Sequence, residues 1–129
     1  MTVPKTILLI IDDESSVCRV LRRVLRNKVD EIVTAETPVD AHIVLKTKPV
    51  THVICDHLLG PGQPKGLEIA KNWKQTYASI KKIVILTGTN AAQTIEIPSG
   101  IDHILPKTTE PVKLVNYLSL NSTPPAKAK

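Results

Sequence analysis

Five short apolar runs, separated by segments with helical periodicity, constrain the fold of this chain more than any other feature. The runs are Ile7–Ile11, Ile32–Ala35, His52–Cys55, Ile83–Leu86 and the weaker His103–Leu105. Unbroken runs of this length, rich in Ile and Val, are typical of parallel strands that are covered on both faces. The alternation of strand and helix therefore predicts an α/β fold, (βα)5, with a doubly wound parallel five-stranded sheet between two helical layers.

The segments between the runs predict the helices. Four of them have apolar residues at helical spacing: Ser15–Asn27, Thr37–Thr47, Leu67–Tyr77 and Pro111–Leu120. Ser15 or Ser16 is the predicted N-cap of the first helix, since a serine hydroxyl accepts from the free N–H groups of a first turn. The segment from Asn90 to Gly100 has little apolar periodicity and contains Pro98. We therefore expect the fourth helix to be short or irregular.

Length and composition predict one globular domain. A chain of 129 residues with 42% apolar side chains can bury a core without metals or disulfides. We expect the domain to span residues 1–120 and the tail 121–129, NSTPPAKAK, to be disordered, because it has no apolar face. One Trp, two Tyr and no Phe argue against a nucleic-acid platform built on stacked bases.

The apolar runs and the cysteines also bear on the compartment. Ile7–Ile11 is far too short to span a bilayer, and the acidic pair that ends it is not a secretory cleavage site. Cys18 and Cys55 lie in apolar segments and are predicted to be small buried side chains rather than a disulfide framework. A cytoplasmic protein is the expectation.

Polar side chains follow four of the five predicted strands. Asp12 and Asp13 follow the first, Asp56 the third, Thr87 the fourth and Lys107 the fifth. The carboxyl ends of parallel strands lie at one edge of the sheet, where ligands of open α/β sheets bind. The sequence therefore predicts that these five side chains share one shallow pocket.

Three crowded carboxylates repel one another, and a single lysine does not offset their charge. Carboxylate oxygens, a backbone carbonyl and water suit an octahedral Mg²⁺ or Mn²⁺ ion. A divalent ion and a lysine also neutralise an incoming phosphoryl group, and a threonine hydroxyl donates to one of its oxygens. The set of groups predicts a phosphoryl acceptor with aspartate as the nucleophile.

The motifs that carry these residues resemble the CheY-like receiver domains of bacterial response regulators. ILLIIDDE contains the acidic pair, HVICDHLLGP places Asp56 in the phosphoacceptor position, KIVILTGT supplies Thr87 and HILPKT supplies Lys107. The resemblance covers roughly residues 5–120. It implies the flavodoxin-like, CheY-like three-layer sandwich and a place in a phosphorelay.

The resemblance also implies roles for individual residues. The implied Mg²⁺ (or Mn²⁺) ligands are Asp13, Asp56 and the backbone carbonyl of Leu58, with Asp12 acting through bound water. Asp56 would accept a phosphoryl group from a histidine kinase or a histidine phosphotransfer protein, and Thr87 and Lys107 would hold the transferred group. Such a stand-alone receiver signals by protein–protein contacts, and it is no enzyme beyond assisting its own phosphorylation and dephosphorylation.

Several positions depart from the receiver pattern. The loop after Asp56 reads HLLGPGQPKG, with its Pro and Gly later than usual, and His57 is a candidate for affecting dephosphorylation. Ile104 stands where many receivers carry an aromatic residue, so a ring-rotation switch is not available. Thr108 follows Lys107 where many receivers have Pro. The acceptor site is thus expected to be complete, and the output face to be unusual.

Arg19, Arg22, Arg23 and Arg26 form a basic stripe along the first predicted helix. A solvated face is the commonest reason for charge at this spacing. In receivers, however, the first helix is a usual docking surface for kinases and phosphotransfer proteins, so partner docking on this stripe is the alternative. A net charge of only +5 and the lack of a DNA-reading motif argue against nucleic-acid binding.

Two other classes of function stay open. The fold could serve as a phosphorylation-independent pseudo-receiver, a binding scaffold, and the irregular fourth helix and Ile104 favour that alternative. A flavodoxin-like cofactor binder or a phosphohydrolase is the other. Against it, the first strand is not followed by a phosphate-cradling loop, and DDESS lacks the Asp-x-Asp-x-Thr spacing of aspartyl phosphohydrolases.

Overall fold

Five parallel strands form a single sheet. The strands are β1 (Ile7–Ile11), β2 (Glu31–Ala35), β3 (His52–Asp56), β4 (Lys82–Thr87) and β5 (His103–Pro106), in the order β2-β1-β3-β4-β5. They come from a computed structural model that describes residues 5–120, apart from the side chains of residues 89 and 90. The predicted doubly wound parallel sheet is confirmed, whereas the predicted disordered tail, 121–129, lies outside the described residues.

Both faces of the sheet are covered, which explains why the strands are continuous apolar runs. Every residue of β1 and β3 is buried. Successive side chains alternate between two core clusters, one built around Leu9, Val53 and Ile85 and the other around Ile10 and Ile54. Helices close both clusters, and the sheet is the middle layer of a three-layer sandwich.

The first two helices agree with the sequence prediction. α1 spans Ser15–Leu25 and α2 spans Pro38–Thr47. The predicted serine N-cap of α1 is wrong. Glu14 holds the cap position, its side chain makes no capping hydrogen bond, and its N–H donates instead to Asp12 Oδ1 at 2.9 Å. The turn that leads into α1 is therefore fixed by an acidic residue of the first strand end.

The predicted third helix is divided in two. α3 (Gly66–Ala70) is followed by α4 (Trp73–Thr76), where a continuous helix over 67–77 was expected. Gly100 packs so closely on the Lys71 carbonyl that a Cβ at position 100 would collide with it. Tertiary packing at the junction, rather than helix propensity, accounts for the difference.

The last two helical segments are short. α5 (Thr89–Thr94) confirms the predicted short fourth helix. The predicted continuous helix over 111–120 is wrong, because a 3₁₀ turn (Pro111–Lys113) precedes α6 (Leu114–Tyr117). Ser119, at φ 59°, ends the helical segment in the left-handed conformation. Val112, in the middle of the 3₁₀ turn, is exposed.

The structure also shows where the two cysteine side chains lie and how long the helices are. Cys18 and Cys55 are free and buried, as expected of small core side chains. Among residues 5–120, no helix has the length and apolar character needed to cross a bilayer.

Candidate functional site

The carboxyl ends of β1 and β3 bring three carboxylates together. The strand order reverses between these two neighbours, and a doubly wound sheet opens a crevice at such a point. Asp12 and Asp13 follow β1, and Asp56 is the last residue of β3. One carboxylate oxygen from each lies within 4.8 Å of the other two. Side chains far apart in sequence therefore form one acidic cluster.

The three carboxylates differ in their exposure to water. Asp12 and Asp56 are only 2% and 3% exposed, while Asp13 is exposed. Burial raises the pKa of Asp12 to about 6, and the hydrogen bond from the Glu14 N–H opposes part of that rise. The negative charge of Asp56 raises the Asp12 pKa further. The cluster is thus a place where negative charge is crowded and poorly hydrated.

Lys107 supplies the cation that faces this cluster. Its Nζ lies 3.0 Å from Asp56 Oδ2 and 3.7 Å from Asp12 Oδ2. Its backbone N–H donates to the Thr87 carbonyl at 2.7 Å, which fixes the residue next to the end of β4. Partial burial by itself lowers the pKa of Lys107, but the hydrogen bond to Asp56 and the nearby carboxylates outweigh it, and the pKa is raised.

Strand register and a backbone hydrogen bond place Thr87 and Leu58 beside Asp56. Thr87 ends β4, is 2% exposed, and follows Leu86, the register partner of Asp56. The Leu58 N–H donates to Asp56 Oδ1 at 3.3 Å. The structure thus places all the sequence-predicted residues at one sheet edge, and the metal-binding role of the Leu58 carbonyl stays a prediction.

The donor set fits a divalent cation. Three carboxylates face one ammonium group, so the cluster keeps an excess of negative charge. All three donors are hard oxygen atoms, the ligands that Mg²⁺ and Mn²⁺ prefer, and a carbonyl and water can complete the shell. Asp13, being exposed, leaves the cluster open to an ion from solvent.

Two further residues, Glu14 and Gly66, shape the site and were not predicted to do so from the sequence. Glu14 Oε1 lies 3.9 Å from Lys107 Nζ and adds a fourth acidic group, for which the run DDE was an available signal. Gly66 opens α3 directly against β3, and a Cβ there would collide with the Asp56 carbonyl oxygen. Its N–H donates to the His57 carbonyl at 2.7 Å. Only a residue without a side chain allows that approach.

His57 and Ile104, two of the positions that depart from the receiver pattern, both contact neighbouring elements of the fold. His57 Nδ1 accepts a weak hydrogen bond, 3.4 Å long, from the Leu67 N–H in α3. That bond orients the imidazole toward the start of α3, so a role in dephosphorylation gains no support. Ile104 is 7% exposed and packs in the core beside Ile85, its register partner on β4.

Surfaces on the two flanks of α1 differ. One flank faces a cavity of about 530 Å³ that runs from Glu14 and Lys107 along Val17 and Val20 to Pro111. The other flank carries the arginine surface, which we define as Arg19, Arg22, Arg23 and Arg26, all exposed. Half of its twelve lining residues are apolar and present most of its surface, and the cavity is continuous with the acidic cluster through Lys107.

Comparisons with known proteins agree with this fold. A response regulator protein from Burkholderia pseudomallei, solved with a phosphorylated aspartic acid, calcium ion and citrate, has a TM-score of 0.72 at 20% identity, over 91% of this chain and 69% of its own. CheY-like receiver domain structures from Methanospirillum hungatei JF-1 (TM-score 0.73, 18% identity, 92% of this chain and 96% of that one) and Methylobacillus flagellatus (0.75, 19%, 90% and 98%) are also similar. Comparison with curated proteins gave no match.

The family assignment comes from the sequence itself. The family model described as "Response regulator receiver domain" matches residues 8–119, which include the acidic cluster, Thr87 and Lys107. The matched region is most of the chain and contains all five strands except the first residue of β1. Fold, site geometry and sequence match agree, and the chain belongs to the response regulator receiver domain family.

Proposed function

We propose that this receiver domain accepts a phosphoryl group on Asp56 and passes the signal on by protein–protein contact. The observation that carries the proposal is the position of Asp56, with Lys107 Nζ 3.0 Å from one carboxylate oxygen and two further carboxylates beside it. The Burkholderia pseudomallei relative, which holds a phosphorylated aspartic acid and a calcium ion, supports the same chemistry here.

The phosphoryl transfer needs few groups from the protein. A carboxylate oxygen of Asp56 forms a bond to phosphorus while the bond between phosphorus and the donor imidazole nitrogen breaks, and its electron pair stays on the imidazole. The Lys107 ammonium and the Thr87 hydroxyl hold the oxygens of the transferred group. Hydrolysis later returns Asp56 to the free carboxylate, so the domain assists only its own phosphorylation and dephosphorylation.

The proposed acceptor site also includes a divalent ion. Asp13, Asp56 and the Leu58 carbonyl would bind Mg²⁺ (or Mn²⁺) directly, and Asp12 would act through water. Such an ion supplies positive charge that offsets the charge of the phosphoryl group. Asp12 is suited to a water-mediated role, because its buried carboxylate already accepts the Glu14 N–H.

The phosphoryl donor in this proposal is a histidine kinase or a histidine phosphotransfer protein in the cytoplasm. It docks on α1, whose N-terminus follows the acidic cluster directly. The apolar cavity along Val17 and Val20 gives the donor a contact surface that leads to Lys107. In this proposal the domain acts as a relay or an adaptor.

A pseudo-receiver that serves as a scaffold is the second candidate function. Two observations favour it: Ile104 is an aliphatic core residue, and α5 has only six residues. Neither changes Asp12, Asp13 or Asp56, so in this proposal they bear on the output face and leave the acceptor residues in place.

Titration with Mg²⁺ and beryllofluoride, followed by amide NMR spectra, separates the two functions. For a phosphoacceptor we expect Mg²⁺-dependent shifts at Asp13, Asp56, Thr87 and Lys107, with the beryllofluoride response lost in Asp56→Asn. Glu110→Gln is the matched control, since it changes an exposed carboxylate outside the cluster. Spectra that respond to neither ligand would leave the scaffold as the function.

A further inference from the structure

All four arginines of the chain lie on one side of one helix. Three are in α1 and Arg26 follows at its C-terminal cap, whereas every other basic side chain in the sequence is Lys or His. At the rotation of an α-helix, about 100° per residue, these positions fall within an arc of about 100° and extend about 10 Å along the axis. The arginine surface is therefore a compact stripe.

No acidic side chain of the described residues forms an ion pair with the stripe. Among residues 5–120, every ion pair uses a lysine, such as Lys48 with Glu31 at 2.7 Å and Lys74 with Asp102 at 2.7 Å. None of the four guanidinium groups forms an ion pair or a hydrogen bond within that part of the chain. Six lysines form ion pairs within that part of the chain, whereas the four arginines face solvent without one.

A recess beside the stripe has the character of an anion site. It has a volume of about 140 Å³ and is lined by Ser15, Cys18, Arg19, Arg22, Thr34 and Glu36. Two guanidinium groups and two hydroxyl-bearing residues outnumber the one carboxylate in the lining, that of Glu36. Ser15 is also the first residue of α1, and the positive end of an eleven-residue helix favours a negative group there.

We infer that the arginine surface binds an acidic helix of a protein partner, with one carboxylate in the recess between Arg19 and Arg22. The planar guanidinium binds carboxylates through two parallel hydrogen bonds, which lysine cannot do. Acidic side chains at i, i+3, i+4 and i+7 on the partner helix would match the stripe in both length and charge. The modest net charge and the scarcity of aromatic residues favour carboxylates over nucleic-acid phosphates.

This contact is independent of phosphorylation. The recess opens on the β2 side of α1, as Thr34 in its wall shows, whereas the cavity that leads to Lys107 lies along Val17 and Val20 on the opposite flank. An acidic partner could thus stay bound before and after Asp56 receives a phosphoryl group. The inference does not rest on the proposed function.

Fluorescence anisotropy with two labelled peptides tests the inference. Both are alanine-based helices with four glutamates, placed on one face in the first and spread around the helix in the second. We expect the one-faced peptide to bind about tenfold more tightly. We also expect Arg19→Gln with Arg22→Gln to weaken it by about tenfold, and Arg19→Lys with Arg22→Lys to weaken it severalfold although charge is kept.

The controls separate this site from simple attraction of opposite charges. Lys46→Gln with Lys81→Gln removes the same charge from exposed positions elsewhere and should change binding by less than about twofold. Asp56→Asn should leave peptide binding unchanged, which distinguishes failure here from failure of the phosphoacceptor proposal. Equal binding of both peptides, an equal loss in the lysine control, or tighter binding of a short DNA duplex than of the one-faced peptide would overturn the inference.

Discussion

Lys107 Nζ lies 3.0 Å from Asp56 Oδ2 and 3.7 Å from Asp12 Oδ2, so one ammonium group joins the end of the fifth strand to the carboxylates of the first and third. Only part of the negative charge is offset in this way, because Asp13 and Glu14 also belong to the acidic group. In the proposed function, the same lysine would compete with a metal ion for the carboxylates and assist an incoming phosphoryl group.

Lys107→Gln should change metal binding and phosphorylation in opposite directions. Loss of a positive charge a few ångströms from the carboxylates should raise Mg²⁺ affinity by about tenfold. Loss of a donor to the phosphoryl oxygens should slow phosphorylation by about a hundredfold. Calorimetry with Mg²⁺ and a mass-spectrometric time course with a small acyl phosphate measure the two effects.

The matched control is Lys113→Gln, which removes an exposed lysine whose one ion pair within residues 5–120 is with Glu110, the N-cap of the 3₁₀ turn. Both quantities should stay within about twofold of the wild-type values in that variant. A fall in Mg²⁺ affinity in Lys107→Gln would contradict the competition between lysine and metal.

Gly66→Ala should disturb the site through the backbone of β3. An alanine Cβ would collide with the Asp56 carbonyl oxygen and lie 2.9 Å from Cys55 Sγ. We expect the free energy of unfolding to fall by about 1–3 kcal/mol, as for other overpacked sites. Phosphorylation should slow as well, because the end of β3 must shift. Urea unfolding and the acyl phosphate time course measure both.

Gly62→Ala, in the loop after β3, is the comparison for that variant. Gly62 has φ +77° and open space around its Cβ position, so alanine there costs only the left-handed conformation, about 1–2 kcal/mol. Phosphorylation of this variant should match the wild type. Equal slowing in both variants would mean that the loop as a whole, rather than the contact of Gly66 with Asp56, sets the geometry.

His52 should make the fold sensitive to acid. Burial lowers the pKa of His52 to about 4 from 6.5, and the positive charges of Lys81 and Lys82 contribute. Between these values the unfolded chain binds a proton that the folded chain does not. The free energy of unfolding should therefore fall by about 2–3 kcal/mol as the pH drops from 7 to 4.5, and the loss should be complete below about pH 4.

Urea unfolding at the two pH values checks this prediction. His52→Gln should lose less stability on acidification than the wild type, because it has no imidazole to protonate, and the difference between the two isolates His52 from the carboxylates. His42→Gln serves as the histidine control and should behave like the wild type. An equal acid-induced loss in His52→Gln would show that His52 is not responsible.

Much of the fold could be predicted because every strand lies between two helical layers. Burial on both faces requires continuous apolar runs, so all five strands could be recognised in the sequence to within a residue at either end. The interruptions of the helices could not be predicted. The break before Trp73 depends on the close packing of Gly100 on Lys71, and the left-handed Ser119 ends the last helix.

The location of the candidate site could also be predicted from the order of the strands. Parallel strands end at one edge, so Asp12, Asp13 and Asp56 could be expected to meet before any coordinates were known. The approach of Gly66 to β3 and the weak bond that turns His57 toward α3 could not be expected. Both depend on the path of the loop between residues 57 and 65, which no periodic pattern specifies.

The intact mass of the protein after incubation with Mg²⁺ and a small acyl phosphate tests the central claim most directly. We predict a gain of one phosphoryl group in the wild type, located on Asp56 by peptide mapping, and no gain in Asp56→Asn or in the presence of a chelator. An unchanged mass in the wild type, or a gain that persists in Asp56→Asn, would contradict the assignment of Asp56 as the phosphoacceptor.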